Sequence, residues 1–232
     1  MAEHIQHDKD KTQRRAALMA GIGLLMMVPL AVFAFFTVIE SLVVPGDAAT
    51  TASNMRVADT LFRLGIMAFV IIAMLDILVA WALYVVFQPV QKNIALLAGW
   101  FRLAYAAVFL VAFAPLLQAI EWLSTADYLT AFTEEQLAAQ VMLEMHRFQN
   151  TWDLGLGIFG LHLLVLGYLV YRASFIPRWV GVLVVVAGTA YTVDSIGGIL
   201  VANYALDLAS YAFVGEVLLI GWLMWLGFRR AD

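Results

Sequence analysis

The sequence contains no cysteine among its 232 residues. That absence excludes a disulfide-stabilised secreted domain, thiol catalysis, iron–sulfur clusters and zinc sites with cysteine ligands. Basic residues are also scarce: 13 lysines and arginines stand against 17 acids, which gives a net charge of −4. Because a nucleic-acid-binding domain is normally basic, we expect no nucleic-acid partner.

Charged residues of either sign are few, at 13% of the chain, whereas hydrophobic residues make up 64%. Typical soluble domains have about 25% and about 45–50% respectively. A soluble protein of this size covers its surface with polar groups, and so small a charged fraction cannot do that. The same hydrophobicity excludes a disordered chain. The sequence therefore predicts a polytopic membrane protein whose first partners are membrane lipids.

Six continuous apolar runs are each long enough to cross a bilayer as a helix, which takes about 20 residues. Because the runs do not alternate between apolar and polar residues, they indicate helices and not barrel strands. The predicted fold is all-α: one domain over residues 16–228, with six transmembrane helices and one further amphipathic helix on the outer side. The predicted spans are Ala16–Ile39, Leu64–Phe87, Ile94–Leu123, Trp152–Tyr171, Trp179–Val201 and Leu208–Phe228.

Basic residues beside the spans predict the orientation, because lysine and arginine concentrate in cytoplasmic loops. Most bases lie in the N-terminal tail (residues 1–15), in the connections after the second and fourth spans, and in the last residues, 229–232. We therefore predict that both termini are cytoplasmic. The bases on this side are Lys9, Lys11, Arg14, Arg15, Lys92, Arg172, Arg178, Arg229 and Arg230.

A capping motif predicts the outer amphipathic helix. Thr133 and Gln136 match a capping box, which places the first helical residue at Glu134. Apolar residues then recur at helical spacing, so we expect a helix over about residues 134–149. This helix is predicted to lie along the outer face of the membrane that the bundle crosses. The alternative is that it forms a lid over the mouth of the bundle.

Four ionisable residues lie deep inside the predicted spans, where a charged side chain costs at least about 2.5–3.5 kcal/mol on insertion scales. They are Asp76, Arg102, His162 and Glu216. With a helical rise of about 1.5 Å per residue, all four fall roughly 12–18 Å from the cytoplasmic ends of their spans. They are therefore the candidate intramembrane polar site, with Arg102 as the bidentate partner of Asp76 or Glu216.

A second polar layer is predicted nearer the outer surface and contains Arg63, Asp153 and Asp194. A zinc site needs three or four converging ligands, and the other histidines lie in the N-terminal tail and on the outer side, away from His162. We therefore predict no metal and no other cofactor. No residue is assigned a catalytic role.

Several stretches resemble a bacterial membrane family known as domain of unknown function 4386. They include Gln88-Pro89-Val90, Gly99-Trp100-Phe101-Arg102 and the segment 159–172, which has His162 near its centre. The resemblance continues through Asp194 to Gly215-Glu216 and covers nearly the whole chain. It implies a bacterial inner-membrane protein. Because the family has no established activity, the resemblance supplies no catalytic residue.

Three kinds of function are compatible with these residues. The favoured hypothesis is binding or transport, in which Asp76 and Glu216 bind a proton or a cationic or polar small molecule, Arg102 balances the charge and His162 hydrogen-bonds the ligand. One alternative is an intramembrane enzyme that uses the same layer for acid–base chemistry. The other is a structural or assembly subunit whose buried charges fix the packing of helices.

Overall fold

The computed structural model describes residues 2–202 and 204–228, and side chains from residue 10 onward within those ranges. The described chain is helical apart from short connections and contains no strand, which confirms the all-α prediction. The predicted cytoplasmic segment 229–232, with Arg229 and Arg230, lies outside the described residues, as does the side chain of Lys9.

The described residues form eight α-helices of four or more residues. The first continues beyond Val32 as a π-helical segment, Phe33–Ile39, and a last helical turn, Glu40–Leu42; Pro29 lies four residues before the π-helical segment. The predicted N-terminal tail is therefore helical and continuous with the first span. The helices are α1 (Ala2–Val32), α2 (Ala48–Val57), α3 (Asp59–Ala112), α4 (Ala114–Trp122), α5 (Glu134–Arg172), α6 (Arg178–Leu200), α7 (Ala209–Ala212) and α8 (Val214–Phe228).

Five helical stretches in the described part of the chain are long and apolar enough to cross a membrane. One of them, Asp59–Trp122, has 64 residues, and a helix of that length would extend about 96 Å, some three bilayer cores. Inside this stretch, the backbone of Gln91 leaves the helical conformation (φ −161°, ψ 95°). Gln91 lies two residues after Pro89. This break separates the predicted second and third spans. The described residues therefore contain five to six helices that are long and apolar enough to cross a membrane, depending on whether Asp59–Trp122 is counted as one or two.

The prediction of a separate outer helix is wrong. The capping box is present: the backbone amide of Gln136 donates to Thr133 Oγ1 (3.2 Å), and the amide of Thr133 donates to Gln136 Oε1 (2.9 Å). The helix that begins there does not end near residue 149 but runs without interruption to Arg172. No proline or glycine lies between Glu134 and Leu154 to stop it. The predicted outer helix is therefore the beginning of α5, the helix that forms the fourth span.

The chain is divided into two compact units. Within the described residues, the first unit contains residues 2–26, 74–106 and 153–228, and the second contains residues 27–73 and 107–152. The four residues of the candidate intramembrane site all belong to the first unit. Each of the long helices α3 and α5 contributes residues to both units.

In the first unit, α5 and α6 approach each other closely along their glycines. A Cβ atom on Gly160 would lie 2.8 Å from the carbonyl oxygen of Gly188, and a Cβ atom on Gly181 would lie 2.5 Å from the backbone nitrogen of Tyr171. Distances this short exclude any larger side chain, as is common where membrane helices pack through small residues. This contact fixes α5 against α6.

The second unit contains a cluster of aromatic rings. The ring of Phe69 lies 5.4–5.8 Å from those of Phe109, Phe113, Phe148 and Trp152. Phe35, from the π-helical segment, meets Trp152 edge-on at 5.3 Å. Most of these contacts are edge-to-face or tilted, which are arrangements that aromatic pairs favour.

The predicted orientation is testable because the natural sequence has no cysteine, so a single introduced cysteine is the only site for a maleimide. Leu206, in the connection between α6 and α7, and Lys92, just after the break in α3, are both exposed. A membrane-impermeant maleimide added to intact cells should label Leu206→Cys, and should label Lys92→Cys only after permeabilisation. Labelling of both variants from the same side would contradict the orientation.

Asp47 provides a second test, outside the spans. It caps α2: its Oδ1 accepts from the backbone amide of Thr50 (2.9 Å) and its Oδ2 from the Thr50 hydroxyl (2.7 Å). These hydrogen bonds hold the pKa of Asp47 below its ordinary value. Because the pKa is lowered, the cap contributes fully above about pH 4 and is lost as the pH falls through the lowered pKa.

We expect Asp47→Ala to accelerate amide hydrogen exchange in residues 48–57 at neutral pH, measured by mass spectrometry. Asp47→Asn is the matched control, because asparagine also caps helices but does not titrate. It should keep the slow exchange and lose the dependence on acid pH. Equal exchange in the natural protein and in Asp47→Ala would show that the cap does not stabilise α2.

Candidate functional site

A buried ion pair lies at the centre of the candidate intramembrane site. Arg102 Nη2 is 2.6 Å from Asp76 Oδ1, and both side chains are at most 3% exposed. Asp76 precedes the break in α3 and Arg102 follows it, so the pair connects the two parts of that stretch. Of the two partners predicted for Arg102, the structure therefore pairs it with Asp76.

His162, from α5, uses both of its ring nitrogens in the same cluster. Its Nε2 is 3.3 Å from Arg102 Nη1, and its Nδ1 is 2.8 Å from the carbonyl oxygen of Ala98. Because a guanidinium group only donates, Nε2 must accept, and Nδ1 must then carry the hydrogen that is donated to Ala98. His162 is therefore a neutral imidazole that orients Arg102, and neither nitrogen is left to bind a ligand as the sequence analysis proposed.

Phe159 lies one helical turn before His162 and connects the ion pair to α6. The guanidinium carbon of Arg102 is 5.5 Å from the centre of the Phe159 ring, a cation–π distance. The same ring lies 4.9 Å from that of Tyr105 and 5.5 Å, edge-on, from that of Tyr191. The charge of Arg102 is thus held between a carboxylate, an imidazole and an aromatic face.

Glu216 belongs to the same cluster but is held differently. It lies in the first turn of α8, three residues after Phe213, whose backbone stays in the right-handed helical region (φ −62°, ψ −10°). The Tyr191 hydroxyl and the charges of Arg102 and Asp76 all act on its carboxyl group. Its Oε1 is buried and has no hydrogen-bond partner among the described residues.

The charges of the cluster do not balance within the described part of the chain. Arg102 supplies one positive charge, His162 is neutral, and the two acids Asp76 and Glu216 would supply two negative charges. Since Asp76 holds the short contact with Arg102, Glu216 is the carboxyl group without a cation of its own. The arrangement therefore contains one acid in short contact with Arg102 and one acid without a cation of its own. Both oxygens of Asp76 and the Nε of Arg102 also lack a hydrogen-bond partner among the described residues.

The residues of the predicted outer layer have local partners. Arg63 Nε is 2.8 Å from Asp59 Oδ2, one turn away on α3, and both side chains are about half exposed. Asp194 accepts a hydrogen bond from the Tyr204 hydroxyl (2.7 Å) and another from the backbone amide of Ala209 (2.8 Å). Asp153 is half-buried on α5. The sequence analysis did not anticipate the partners of Arg63 and Asp194.

The sequence analysis also missed three residues. Phe159 and Tyr191 lie beside the cluster, and Glu144, within the range predicted as an outer amphipathic helix, is buried and pairs with Arg147 at 2.6 Å. Phe159 had a usable signal, because it precedes His162 by three residues and shares its helix face. As for metals, no three histidine or acid side chains in the described ranges are grouped closely enough to hold an ion.

Removing one partner of the ion pair should destabilise the protein strongly. Asp76→Asn removes the carboxylate that is in contact with the buried Arg102 charge, and breaking a buried pair in this way costs about 3–5 kcal/mol. We expect a clear fall in the unfolding temperature of the purified protein in detergent. The double variant Asp76→Leu/Arg102→Met should recover most of the loss, because apolar side chains then replace both charges.

The matched control is Arg63→Gln, which removes an exposed ion pair. Exposed pairs contribute less than about 1 kcal/mol, so this variant should unfold close to the natural temperature. If Asp76→Asn were as stable as Arg63→Gln, the buried pair would not have the structural role assigned to it. A double variant less stable than the single one would likewise contradict that role.

Comparison with known proteins gives two matches. Residues 19–227 match the model of a family described as DUF4386, domain of unknown function, and this range includes all four residues of the candidate intramembrane site. The chain is also 35% identical over 167 residues to a protein of Archaeoglobus fulgidus described as uncharacterized; the match covers 72% of this chain and 86% of that relative. No solved structure matches the chain.

Proposed function

Because this chain belongs to the DUF4386 family, whose function is unknown, we propose a function from its buried polar residues: proton-linked binding or transport of a small molecule across the membrane. In this proposal Glu216 is the group that takes up and releases the proton. The protein acts in the inner membrane of a bacterium, with both termini in the cytoplasm.

The observation that carries the proposal is the state of the Glu216 carboxyl group. One of its oxygens has no hydrogen-bond partner among the described residues, and Arg102, the cation whose charge acts on it, is in short contact with Asp76. An unpaired charge inside a span is costly, and protonation of the carboxyl group removes that cost. Glu216 is therefore suited to alternate between a protonated and a cation-bound or charged state.

Arg102 would tune the charge of Glu216 without binding the ligand itself. Its guanidinium is fixed by Asp76, His162 and Phe159, and its positive charge acts on both acids. When Glu216 loses its proton, the fixed cation attracts the new carboxylate, and when Glu216 regains the proton, Arg102 keeps its pair with Asp76. The cluster therefore tolerates both states of Glu216 without a second buried cation.

The same geometry weighs against the alternatives. An intramembrane acid–base enzyme that used His162 would need an available ring nitrogen, and both nitrogens of His162 are engaged. A purely structural cluster would account for Asp76, Arg102 and His162. It gives no reason for a fourth ionisable group that lacks a cation of its own.

The protonation state of Glu216 can be tested with dicyclohexylcarbodiimide, a lipid-soluble reagent that modifies protonated carboxyl groups. We expect a covalent adduct at Glu216, located by peptide mass spectrometry, whose yield falls as the pH is raised. Asp76, paired with Arg102, should remain unmodified. No adduct at Glu216 at any pH would contradict the proposal.

Flux provides the second part of this test. In vesicles that contain the purified protein and a pH-sensitive dye, Glu216→Gln should slow proton movement driven by a membrane potential by at least about tenfold, equivalent to 1.4 kcal/mol. Glu144→Gln is the matched control, because Glu144 is also buried but already has a partner in Arg147. Equal proton flux in Glu216→Gln and the natural protein would contradict the transport proposal.

A further inference from the structure

An open apolar groove lies between α5 and α6. Two tyrosines near the end of α5 form one side of it, and residues from the first half of α6 form the other. Its volume is about 230 Å³. Both helices belong to stretches that are long and apolar enough to cross a membrane. The groove is lined by Tyr168, Tyr171, Gly181, Val182, Val185 and Val186.

Gly181 accounts for the groove. A Cβ atom on Gly181 would lie 2.5 Å from the backbone nitrogen of Tyr171, so the two helices touch backbone to backbone at this level. The side chains of Tyr168, Val182 and Val186 beside this contact are 42–51% exposed. Exposed apolar groups on a membrane-spanning helix are surrounded either by acyl chains or by another protein, so one of these two occupies the groove.

Two arginines lie where the groove meets the connection 173–177. Arg172 is the last residue of α5 and Arg178 is the first of α6, and both are exposed. The guanidinium carbon of Arg178 is 5.6 Å from the centre of the Tyr171 ring, a cation–π distance that holds the charge beside the groove. Among the described residues neither arginine pairs with an acidic side chain, and the connection itself contains no acid.

The dimensions of the groove match one leaflet of a membrane. Trp179, directly after Arg178, is 53% exposed, and tryptophan rings concentrate at the level of the lipid headgroups. From Arg178 to Val186 the helix rises about 12 Å. Half of a hydrocarbon core of about 30 Å is only slightly longer. The groove therefore begins at a positively charged headgroup level and extends along the acyl chains of a single leaflet.

The two arginines favour a phospholipid over a second copy of the chain. In a symmetric dimer formed through this groove, Arg172 and Arg178 of both copies would lie at the same level, and their like charges would repel. A phosphate group supplies the opposite charge and accepts the paired N–H groups of an arginine. Basic pockets between membrane helices on the cytoplasmic side commonly bind anionic headgroups.

We propose that this groove binds one anionic phospholipid. Its phosphate group accepts hydrogen bonds from Arg172 and Arg178, and one of its acyl chains occupies the groove between the tyrosines of α5 and the valines of α6. The lipid belongs to the leaflet on the side of the connection 173–177, which the predicted orientation makes the cytoplasmic leaflet. The site uses no residue of the buried cluster and does not depend on the proposed role of Glu216.

The first test measures the charge preference by native mass spectrometry of the full-length protein in detergent. The probes are dioleoylphosphatidylglycerol, which is anionic, and dioleoylphosphatidylcholine, which has the same acyl chains and no net charge. The anionic lipid should bind at one site at least about tenfold more tightly, since two arginines act on its charge. Arg178→Gln should weaken its binding about fivefold, whereas Arg178→Lys should retain most of it. Lys92→Gln, which removes another exposed base predicted on the same side, is the control and should change nothing.

The second test examines the groove itself. Val182→Trp places a large ring in the groove and should weaken the binding of both lipids severalfold. Ile196→Trp is the matched control, because Ile196 lies on the same helix, is equally exposed at 50%, and does not line the groove. Glycerol 3-phosphate, which has the phosphate group but no acyl chain, should not displace the anionic lipid even in large excess.

Several results would overturn this inference. They are equal affinity for the two lipids, an equal loss of binding in Lys92→Gln and Arg178→Gln, and unchanged binding in Val182→Trp. Displacement by glycerol 3-phosphate would reveal a phosphate site without the groove. A dimer that binds no lipid and that Val182→Trp dissociates would make the groove a contact between copies. Glu216→Gln should bind the anionic lipid as the natural protein does, so this inference and the proposed function can fail separately.

Discussion

The guanidinium of Arg102 is the group on which the rest of the first unit depends. The side chain that carries this positive charge is 2% exposed. It must be neutralised and hydrogen-bonded, because an isolated buried charge would strongly destabilise the fold. Asp76 supplies the counter-charge from the other part of α3, and His162 and Phe159 supply an acceptor and an aromatic face from α5. The Arg102 side chain therefore connects both parts of α3 with the middle of α5.

The residues of this cluster could largely be predicted from the sequence, because an ionisable residue inside an apolar span costs insertion free energy and is therefore rare. Asp76, Arg102, His162 and Glu216 stand out for that reason alone, and the apolar runs predict the helices that carry them. Two features could not be predicted. One is which aromatic residues lie beside the cluster, because burying an aromatic residue costs no free energy. The other is how far α5 extends. Tyr191 looks like any other aromatic residue of a span, and Phe159 is marked only by its spacing from His162. The lack of proline and glycine between Glu134 and Leu154 permits α5 to continue past residue 149 but does not require it.

Two kinds of polar group emerge within one cluster. Asp76 forms a short ion pair with Arg102, and His162 contacts the same guanidinium, so each of the three has a partner within the cluster. Glu216 has no cation of its own, because the guanidinium that acts on its charge is in contact with Asp76. In the function that we propose, the paired groups form the scaffold and Glu216 is the group that binds the proton.

The π-helical segment Phe33–Ile39 has a consequence for comparing relatives of this chain. A π-helical turn accommodates one residue more than an α-helical turn, and it is usually found as a local insertion in an otherwise regular helix. An extra residue rotates everything beyond it by about 100° around the helix axis. A relative that lacks one residue between Pro29 and Glu40 could absorb the deletion by reverting to an α-helix, with the faces on both sides preserved. This is the place in the first span where alignments of the family should tolerate a one-residue gap.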